Sequence, residues 1–227
     1  MNETWLLLGA PGVGKSTFSH SLRQRCANLQ QFSVRLFTAR LLEGDSELGH
    51  YLREHEIVKP KVHMPNAVVE QIFAEFLKTV SERQFLIIEG YPINHVQFLG
   101  MMRQLANVGR RIEGILILVD AYERIRSRVE SRRICPHCEQ KSGGGIPVLA
   151  DAKVCPFCGG ALIKRAEDDP DFFQVRYRMF LEEKERICQW FPKEVIHIVN
   201  IGSCSYPDLL QEWVRKCNGS VAAQEEV

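Results

Sequence analysis

Residues 4–17, Thr-Trp-Leu-Leu-Leu-Gly-Ala-Pro-Gly-Val-Gly-Lys-Ser-Thr, decide the fold of this chain. The apolar run Trp5–Leu8 is long enough for one buried strand, and it ends at Gly9. The pattern G-x-x-x-x-G-K-[ST] then spans residues 9–16, and helix-compatible sequence follows. A strand, a glycine-rich loop and a helix in this order are typical of a phosphate-binding P-loop. The alternative is a plain glycine turn, and the complete motif argues against it.

The residue types of the loop suit a nucleotide polyphosphate. Glycines let backbone N–H groups turn inward, and a helix that begins near Lys15 adds the positive end of its dipole. In such a loop Lys15 reaches the β- and γ-phosphates, and the Ser16 hydroxyl helps to hold Mg²⁺. The other loop residues that we expect to bind the nucleotide are Gly12, Val13, Gly14 and Thr17.

Composition narrows the class of protein. The 227 residues can form one domain or two, and 45% apolar with 25% charged residues is ordinary for a soluble globular protein. The net charge of +1 argues against a protein that coats nucleic acid. Neither a membrane-length apolar run nor a signal peptide is visible. We therefore predict a cytoplasmic protein without a membrane partner.

Strand-like and helix-like segments alternate along the chain. Further β-prone runs follow at residues 32–37, 85–88, 112–119 and 195–201. A short helix is expected over residues 39–42, and Asp120 is the expected N-cap of the helix after the fourth strand. This alternation predicts an α/β fold with a parallel sheet of about five strands flanked by helices.

Two Cys-x-x-Cys pairs interrupt the alternation. They are Cys135–Cys138 and Cys155–Cys158, and sixteen residues separate them. This spacing lies in the zinc-ribbon range, and four thiolates form a closed tetrahedral site for structural Zn²⁺. His137 is a competing but less favoured ligand, and a redox role for the pairs is also less favoured. The other four cysteines are expected to be ordinary reduced thiols.

The P-loop and the cysteine insertion together resemble the adenylate kinase family of nucleoside monophosphate kinases, in the long form that has a zinc-binding lid. Residues 89–92, Glu-Gly-Tyr-Pro, stand where that family has Asp-Gly-Phe-Pro, and Ser-Glu-Leu-Gly at 46–49 also resembles a family segment. Residues 128–133, Arg-Val-Glu-Ser-Arg-Arg, resemble its Arg-x-x-Gly-Arg-Arg. The resemblance extends from about Leu6 to Ser203 and covers nearly the whole chain.

The resemblance also implies a domain organisation. Residues 1–133 and 166–219 would form the P-loop kinase core, with the acceptor-site helices at 36–64. Residues 134–165 would form the zinc-binding lid, and residues 220–227 a flexible tail.

For the reaction, the resemblance implies transfer of the γ-phosphoryl group of Mg²⁺-bound ATP to a nucleoside monophosphate, by positioning and charge stabilisation. Arg128 would pack on the adenine of ATP, and Glu89 replaces the aspartate that organises Mg²⁺. Because Arg176 lies two residues before Arg178, the two should point in different directions, and the resemblance implies that Arg178 is the functional one. The implied catalytic residues are Lys15, Arg132, Arg165 and Arg178.

The implied acceptor site departs from the family pattern. Its expected residues are Thr38, Arg40, Gly90 and Gln97. Gln97 matches a glutamine that reads adenine in the family, but it is equally consistent with an ordinary surface residue. Two phosphate-binding arginines of the family are replaced, by Glu43 and by Ile93. Each lost contact is worth about 2 kcal/mol. Arg40, and more distantly Arg35 and Arg53, are cations near these positions in sequence.

Three functions are therefore compared. The first is a nucleoside monophosphate kinase with an altered acceptor, acting as a monomer on small nucleotides. The second is an ATP-binding regulatory protein that has lost acceptor phosphorylation. The third is a zinc-ribbon nucleic-acid-binding ATPase, which ranks last because the insertion has few basic residues and one aromatic residue, Phe157.

Overall fold

A computed structural model describes residues 3–59, 61–138 and 152–222, with side chains through residue 218. The strands are β1 (Glu3–Gly9), β2 (Leu29–Ser33), β3 (Phe85–Glu89), β4 (Arg111–Val119) and β5 (Ile196–Asn200). The helices are α1 (Lys15–Arg23), α2 (Val34–Glu43), α3 (Glu47–Glu54), α4 (Asn66–Leu77), α5 (His95–Asn107), α6 (Tyr122–Ser131), α7 (Pro170–Trp190) and α8 (Tyr206–Ala222).

The strands form one parallel sheet in the order β2-β3-β1-β4-β5. This confirms the predicted α/β class and the number of strands. Because all five strands run in the same direction, their carboxyl ends lie at one edge of the sheet. The loop after β1 and the end of β3 are therefore neighbours, and ligands of open α/β sheets bind at this edge.

Alternating residues of β1 pack into opposite faces of the sheet. Leu6 and Leu8 belong to one buried cluster, which includes residues of α2 to α5 and α7. Trp5 and Leu7 belong to the other, which includes residues of α1, α6 and α8. Both faces are thus covered by helices, which explains the nearly continuous apolar sequence of the strands.

The strand predicted for residues 32–37 is wrong beyond Ser33, where β2 ends. The chain turns into α2 at Val34, ahead of the helix that we expected at 39–42. The side chains of Val34, Phe37 and Leu41 pack into the first buried cluster, which also contains Phe32 of β2. This spacing of three and four residues fits a helix, and the packing prevails over the local preference for a strand.

The segment Ser-Glu-Leu-Gly at 46–49 starts α3. The Ser46 hydroxyl accepts a hydrogen bond from the Gly49 N–H at 3.1 Å, a typical N-cap. A Cβ atom on Gly49 would lie 2.1 Å from the Leu41 carbonyl oxygen. Only glycine therefore allows α2 and α3 to approach this closely.

Two boundaries differ from the prediction. The N-cap of α6 is Ala121 and not Asp120. The Asp120 carboxylate instead accepts a hydrogen bond from the adjacent Ala121 N–H and pairs with Arg124 and Arg128. Helix α8 extends to Ala222, and residues 223–227 of the expected tail lie outside the described residues. Among the described helices, none is both long and apolar enough to cross a membrane.

Candidate functional site

A cleft of about 900 Å³ opens at the carboxyl edge of the sheet. On one side lie residues 11–17 and Glu89, which we call the P-loop side. On the other lie α2, residues 58–59 and 61–64, Ile93 and Gln97, which we call the α2 side. Residues from the end of α6 and the start of α7 also line the cleft.

The loop after β1 has the backbone geometry of an anion-binding loop. Gly14 has a φ of 110°, and helix α1 begins at the next residue. The Lys15 ammonium donates to the Gly9 and Ala10 carbonyl oxygens at 2.6 and 2.9 Å. Burial lowers the pKa of Lys15 to about 8, although the Glu89 carboxylate acts in the opposite direction. Additional negative charge in the cleft would stabilise this buried cation.

Oxygen donors meet where α1 begins. The Ser16 hydroxyl donates to a Glu89 carboxylate oxygen at 2.5 Å, and the Gln31 amide donates to the other oxygen. Glu89 is buried at the end of β3. A carboxylate and a hydroxyl beside a phosphate-binding loop form the oxygen-rich donor set that suits Mg²⁺. Gln31 lies on β2, which pairs with β3, so its contact with Glu89 depends on strand pairing and the sequence motif did not reveal it.

Arginines from distant parts of the chain converge on this cleft. They are Arg35, Arg128, Arg132, Arg133, Arg165 and Arg176. Arg132 forms a two-point ion pair with buried Asp168, and one of its bonds measures 2.8 Å. Burial, with the positive charges of Arg35 and Arg132, lowers the pKa of Arg165 to about 9. So many guanidinium groups in one cleft form a site for a highly charged anion.

The structure brings Arg176, and not Arg178, into the cleft. Both lie on α7, two residues apart, and a separation of two residues turns a side chain by about 200°. Arg176 lines the cleft, whereas Arg178 is exposed and does not. The two directions were anticipated from sequence, but the rotation of α7 relative to the cleft comes from tertiary packing.

Arg128 extends from α6 along the edge of the cleft. Its guanidinium lies 2.9 Å from the Asp120 carboxylate, and its side chain is 44% exposed. This exposed planar group remains accessible for stacking on a ligand ring.

On the α2 side, helix α2 presents one face to the cleft. Its lining residues are Val34, Arg35, Thr38, Ala39 and Leu42. Apolar residues Val58, Val62, Met64, Val69 and Ile93 continue this surface. Thr38 is 3% exposed, and its hydroxyl has no hydrogen-bond partner among the described residues. A ligand on this surface therefore meets apolar side chains and one buried hydroxyl.

Gln97 and Gly90 also line the cleft. The Gln97 amide oxygen accepts from the Ile93 N–H at 3.1 Å, and its nitrogen donates to Asn66 at 3.1 Å. Both ends of this buried amide are thus engaged within the protein. Gly90 has a φ of 63° and lies beside the Lys15 side chain.

Three charged residues from the acceptor segment do not line the cleft. Arg40 and Glu43 are both exposed on other faces of α2. Arg53 on α3 donates to the Leu42 and Gly44 carbonyl oxygens at 2.6 and 3.0 Å, so it caps the end of α2. Arg35, Lys59 and Lys61 are the cations of this segment that do line the cleft. Arg35 lies on α2 and not on the strand that we predicted for residues 32–37.

The four paired cysteines come together in the insertion, as predicted. Their sulfur atoms all lie within 4.8 Å of one another, with separations of 3.5 Å for Cys135–Cys158 and 3.6 Å for Cys138–Cys155. These values are near the edge of about 3.8 Å for a tetrahedron with Zn–S bonds of about 2.3 Å. His137 is exposed and outside the cluster, and residues 139–151 of the insertion lie outside the described residues.

The parallel sheet order and the glycine loop after its central strand define a P-loop α/β protein. The chain is 30% identical to the adenylate kinase of Thermococcus onnurineus (strain NA1) over 199 residues, which cover 85% of this chain and 84% of that protein. It is 29% identical to the adenylate kinase of Pyrococcus furiosus over 197 residues, or 85% and 86% of the two chains. No family model matches the sequence. The chain belongs to the adenylate kinase family.

Proposed function

We propose that this protein is an ATP-dependent phosphotransferase that moves the γ-phosphoryl group of ATP to a nucleoside monophosphate. The observation that carries the proposal is the single cleft between the P-loop side and the α2 side, into which arginines from α2, α6 and α7 converge. Such a cleft can hold two anionic ligands end to end. Family membership supports the same class of reaction.

On this proposal the P-loop side binds ATP. Lys15 and the N–H groups of residues 12–17 hold its phosphates, and Arg128 covers its base. Ser16 and Glu89 hold Mg²⁺, directly or through water, and the ion neutralises charge on the β- and γ-phosphates. The donor set at the start of α1 fits this ion.

The chemistry requires positioning and charge stabilisation more than covalent participation by the protein. Arg132, Arg165 and Arg176 surround the space between the two sides of the cleft. We propose that they stabilise the transferring phosphoryl group, with Arg176 in the role first expected of Arg178. Closure of the cysteine-containing insertion would exclude water and so limit hydrolysis of ATP.

The α2 side is the proposed acceptor site. Its apolar surface suits the base of a nucleotide, and the buried Thr38 hydroxyl offers one hydrogen bond. Gln97 contributes less than the resemblance implies, because Ile93 and Asn66 already engage its amide. Arg40 is not part of this site, because its side chain lies outside the cleft lining.

A transfer assay tests the proposal. γ-Labelled ATP and Mg²⁺ are incubated with AMP, CMP, GMP, UMP or their deoxy forms, and products are separated by chromatography. We expect label in at least one nucleoside diphosphate. ATP binding without transfer to any of the eight would instead favour the ATP-binding regulatory protein.

We further propose that Cys135, Cys138, Cys155 and Cys158 hold one structural zinc ion, and that residues 134–165 form a lid on a core of residues 1–133 and 166–219. The sulfur separations support the zinc site. Metal analysis should find about one zinc per chain, and Cys155→Ser should lose it. Cys188→Ser is the control, because Cys188 lies outside the cluster. Zinc-free protein with four reactive thiols would contradict this assignment.

A further inference from the structure

The arginines that converge on the cleft are held by different groups. Arg132 pairs with the buried Asp168 carboxylate, and Arg128 pairs with Asp120. Arg176, in contrast, has neither a hydrogen bond nor an ion pair with the residues that the structure describes. A long side chain has many rotamers, and catalysis by positioning requires one of them to be fixed. Some other contact must therefore orient the Arg176 guanidinium.

The contact that Arg176 makes is with the aromatic ring of Phe172. The guanidinium carbon lies 5.9 Å from the centroid of that ring, within the roughly 6 Å range of a cation–π contact. The two residues are four apart on α7, so they lie on the same face of the helix. Both side chains line the cleft and are half-buried. The Phe172 ring thus limits the directions in which the Arg176 side chain can point.

A residue of the α2 side packs against the same ring. The ring centroids of His63 and Phe172 lie 5.4 Å apart, with an angle of 37° between the ring planes. Burial lowers the pKa of His63, and the positive charge of Arg176 lowers it further. His63 therefore lies within electrostatic range of Arg176, and a neutral imidazole avoids repulsion between the two.

The segment that contains His63 contacts α7 at a second point. The Lys61 ammonium lies 2.8 Å from one oxygen of the Asp169 carboxylate. The other oxygen caps α7, because it accepts from the N–H groups of Asp171 and Phe172 at 3.2 Å each. Residues of the α2 side are thus held against the first turn of α7, where Phe172 lies.

We propose that Phe172 is a positioning residue for Arg176: its ring, backed by His63, holds the Arg176 guanidinium towards the space between the two sides of the cleft. This assignment rests on the proposed function, in which Arg176 stabilises the transferring phosphoryl group. Since His63 belongs to the α2 side, that side influences the orientation of Arg176 through the Phe172 ring.

A double-mutant cycle in the full-length protein tests the assignment. Phe172→Leu keeps an apolar side chain without the ring, Arg176→Gln removes the cation, and a third variant combines the two changes. Phe172→Tyr keeps the ring. Val175→Ala is the control on α7, because Val175 is 46% exposed and does not line the cleft. Thermal unfolding checks that each variant is folded, and kcat and both KM values are measured with the best acceptor among AMP, CMP, GMP and UMP.

For Phe172→Leu we expect kcat to fall about 5- to 10-fold, the scale of a cation–π contact in a partly buried site. The KM of each substrate should change less than about twofold, because the ring acts on a group proposed to work in the transition state. Phe172→Tyr should recover most of the lost kcat. Arg176→Gln should lower kcat about 10²-fold, and adding Phe172→Leu should cause no further fall, because the ring then has no cation to hold.

Three results would overturn the assignment while leaving the proposed function standing. They are an unchanged kcat in Phe172→Leu, an equal fall in kcat from Phe172→Leu with and without Arg176, and a Phe172→Tyr variant as slow as Phe172→Leu. Absence of transfer to all four monophosphates in the unsubstituted protein would instead overturn the proposed function, and the assignment with it.

Discussion

The two sides of the cleft are built in different ways. The P-loop side takes most of its polar groups from one continuous stretch, residues 11–17, and its geometry depends on backbone N–H groups and glycine. The α2 side is assembled from α2, residues 58–59 and 61–64, Ile93 and Gln97. One side therefore has the complete motif, whereas the other has Glu43 and Ile93 at the two positions where the family resemblance implies arginines.

On the proposed function, the difference follows from what each side binds. Polyphosphate binding by backbone groups tolerates little change, because a side chain at a glycine would distort the loop. An acceptor site made of separate side chains can change one residue at a time. We propose that ATP binding follows the family pattern and that recognition of the acceptor departs from it.

The largest effect is expected at the P-loop side. Lys15→Ala removes the cation at the base of the loop, and we expect kcat/KM for transfer to fall about 10³-fold. Steady-state kinetics measures the loss, and Lys78→Ala is the control, because Lys78 is exposed and outside the cleft. Unchanged ATP affinity and turnover in Lys15→Ala would mean that this loop does not hold the nucleotide.

The pKa of Lys15 should make ATP binding at the P-loop side depend on pH. Burial lowers this pKa to about 8 in the unliganded protein, and the phosphates of ATP should raise it by stabilising the charged form. ATP binding above pH 8 should then take up a proton, and the affinity should fall about tenfold per pH unit. Below about pH 7 Lys15 is already charged, so it should add no pH dependence to the ATP affinity.

Calorimetry in buffers of different ionisation enthalpy measures that proton uptake. Lys15→Arg serves as the comparison, because arginine keeps its charge throughout this range. Proton uptake that persists unchanged in Lys15→Arg would assign the titration to another group.

Substitutions that add a cation on the α2 side test where the phosphate of the acceptor lies. Ile93→Arg adds a cation to the cleft lining, and we expect kcat/KM for the acceptor to rise about 10-fold. Glu43→Arg makes a larger change of charge outside the lining and should alter kcat/KM less than twofold. If Glu43→Arg gave the larger gain, the acceptor phosphate would have to lie near the end of α2.

A smaller effect is expected at Gln97. Gln97→Ala removes hydrogen bonds to Ile93 and Asn66 in a buried position, so it should lower the free energy of unfolding by about 1–3 kcal/mol. Denaturant unfolding measures this change. The preference among nucleoside monophosphates should barely alter, and a change of base preference without loss of stability would restore Gln97 as a base-reading residue.

The sequence predicts the P-loop side better than the α2 side, for a physical reason. The P-loop motif and the paired cysteines are local patterns, and the structure places the loop before α1 and the four sulfur atoms together. The β2–α2 boundary was missed because packing of Val34 and Phe37 into the core outweighs their preference for strands. Arg35 consequently lies on a helix and not on the predicted strand.

The positions of Arg176 and Arg178 show the same limit of prediction from local sequence. Sequence spacing fixes the angle between two side chains on one helix, but not which of them faces the cleft. That orientation depends on how α7 packs against the sheet, with Phe173 and Ile187 buried on its inner face. Long-range packing therefore determines the parts of the site that no local motif encodes.

The most direct test of the account is whether both sides of the cleft are occupied at once. The protein is saturated with a non-hydrolysable ATP analogue and Mg²⁺, and the best nucleoside monophosphate acceptor is then titrated in a calorimeter. We expect one monophosphate to bind per chain while the analogue stays bound. Displacement of the analogue by the monophosphate, or its failure to bind beside the analogue, would contradict the account.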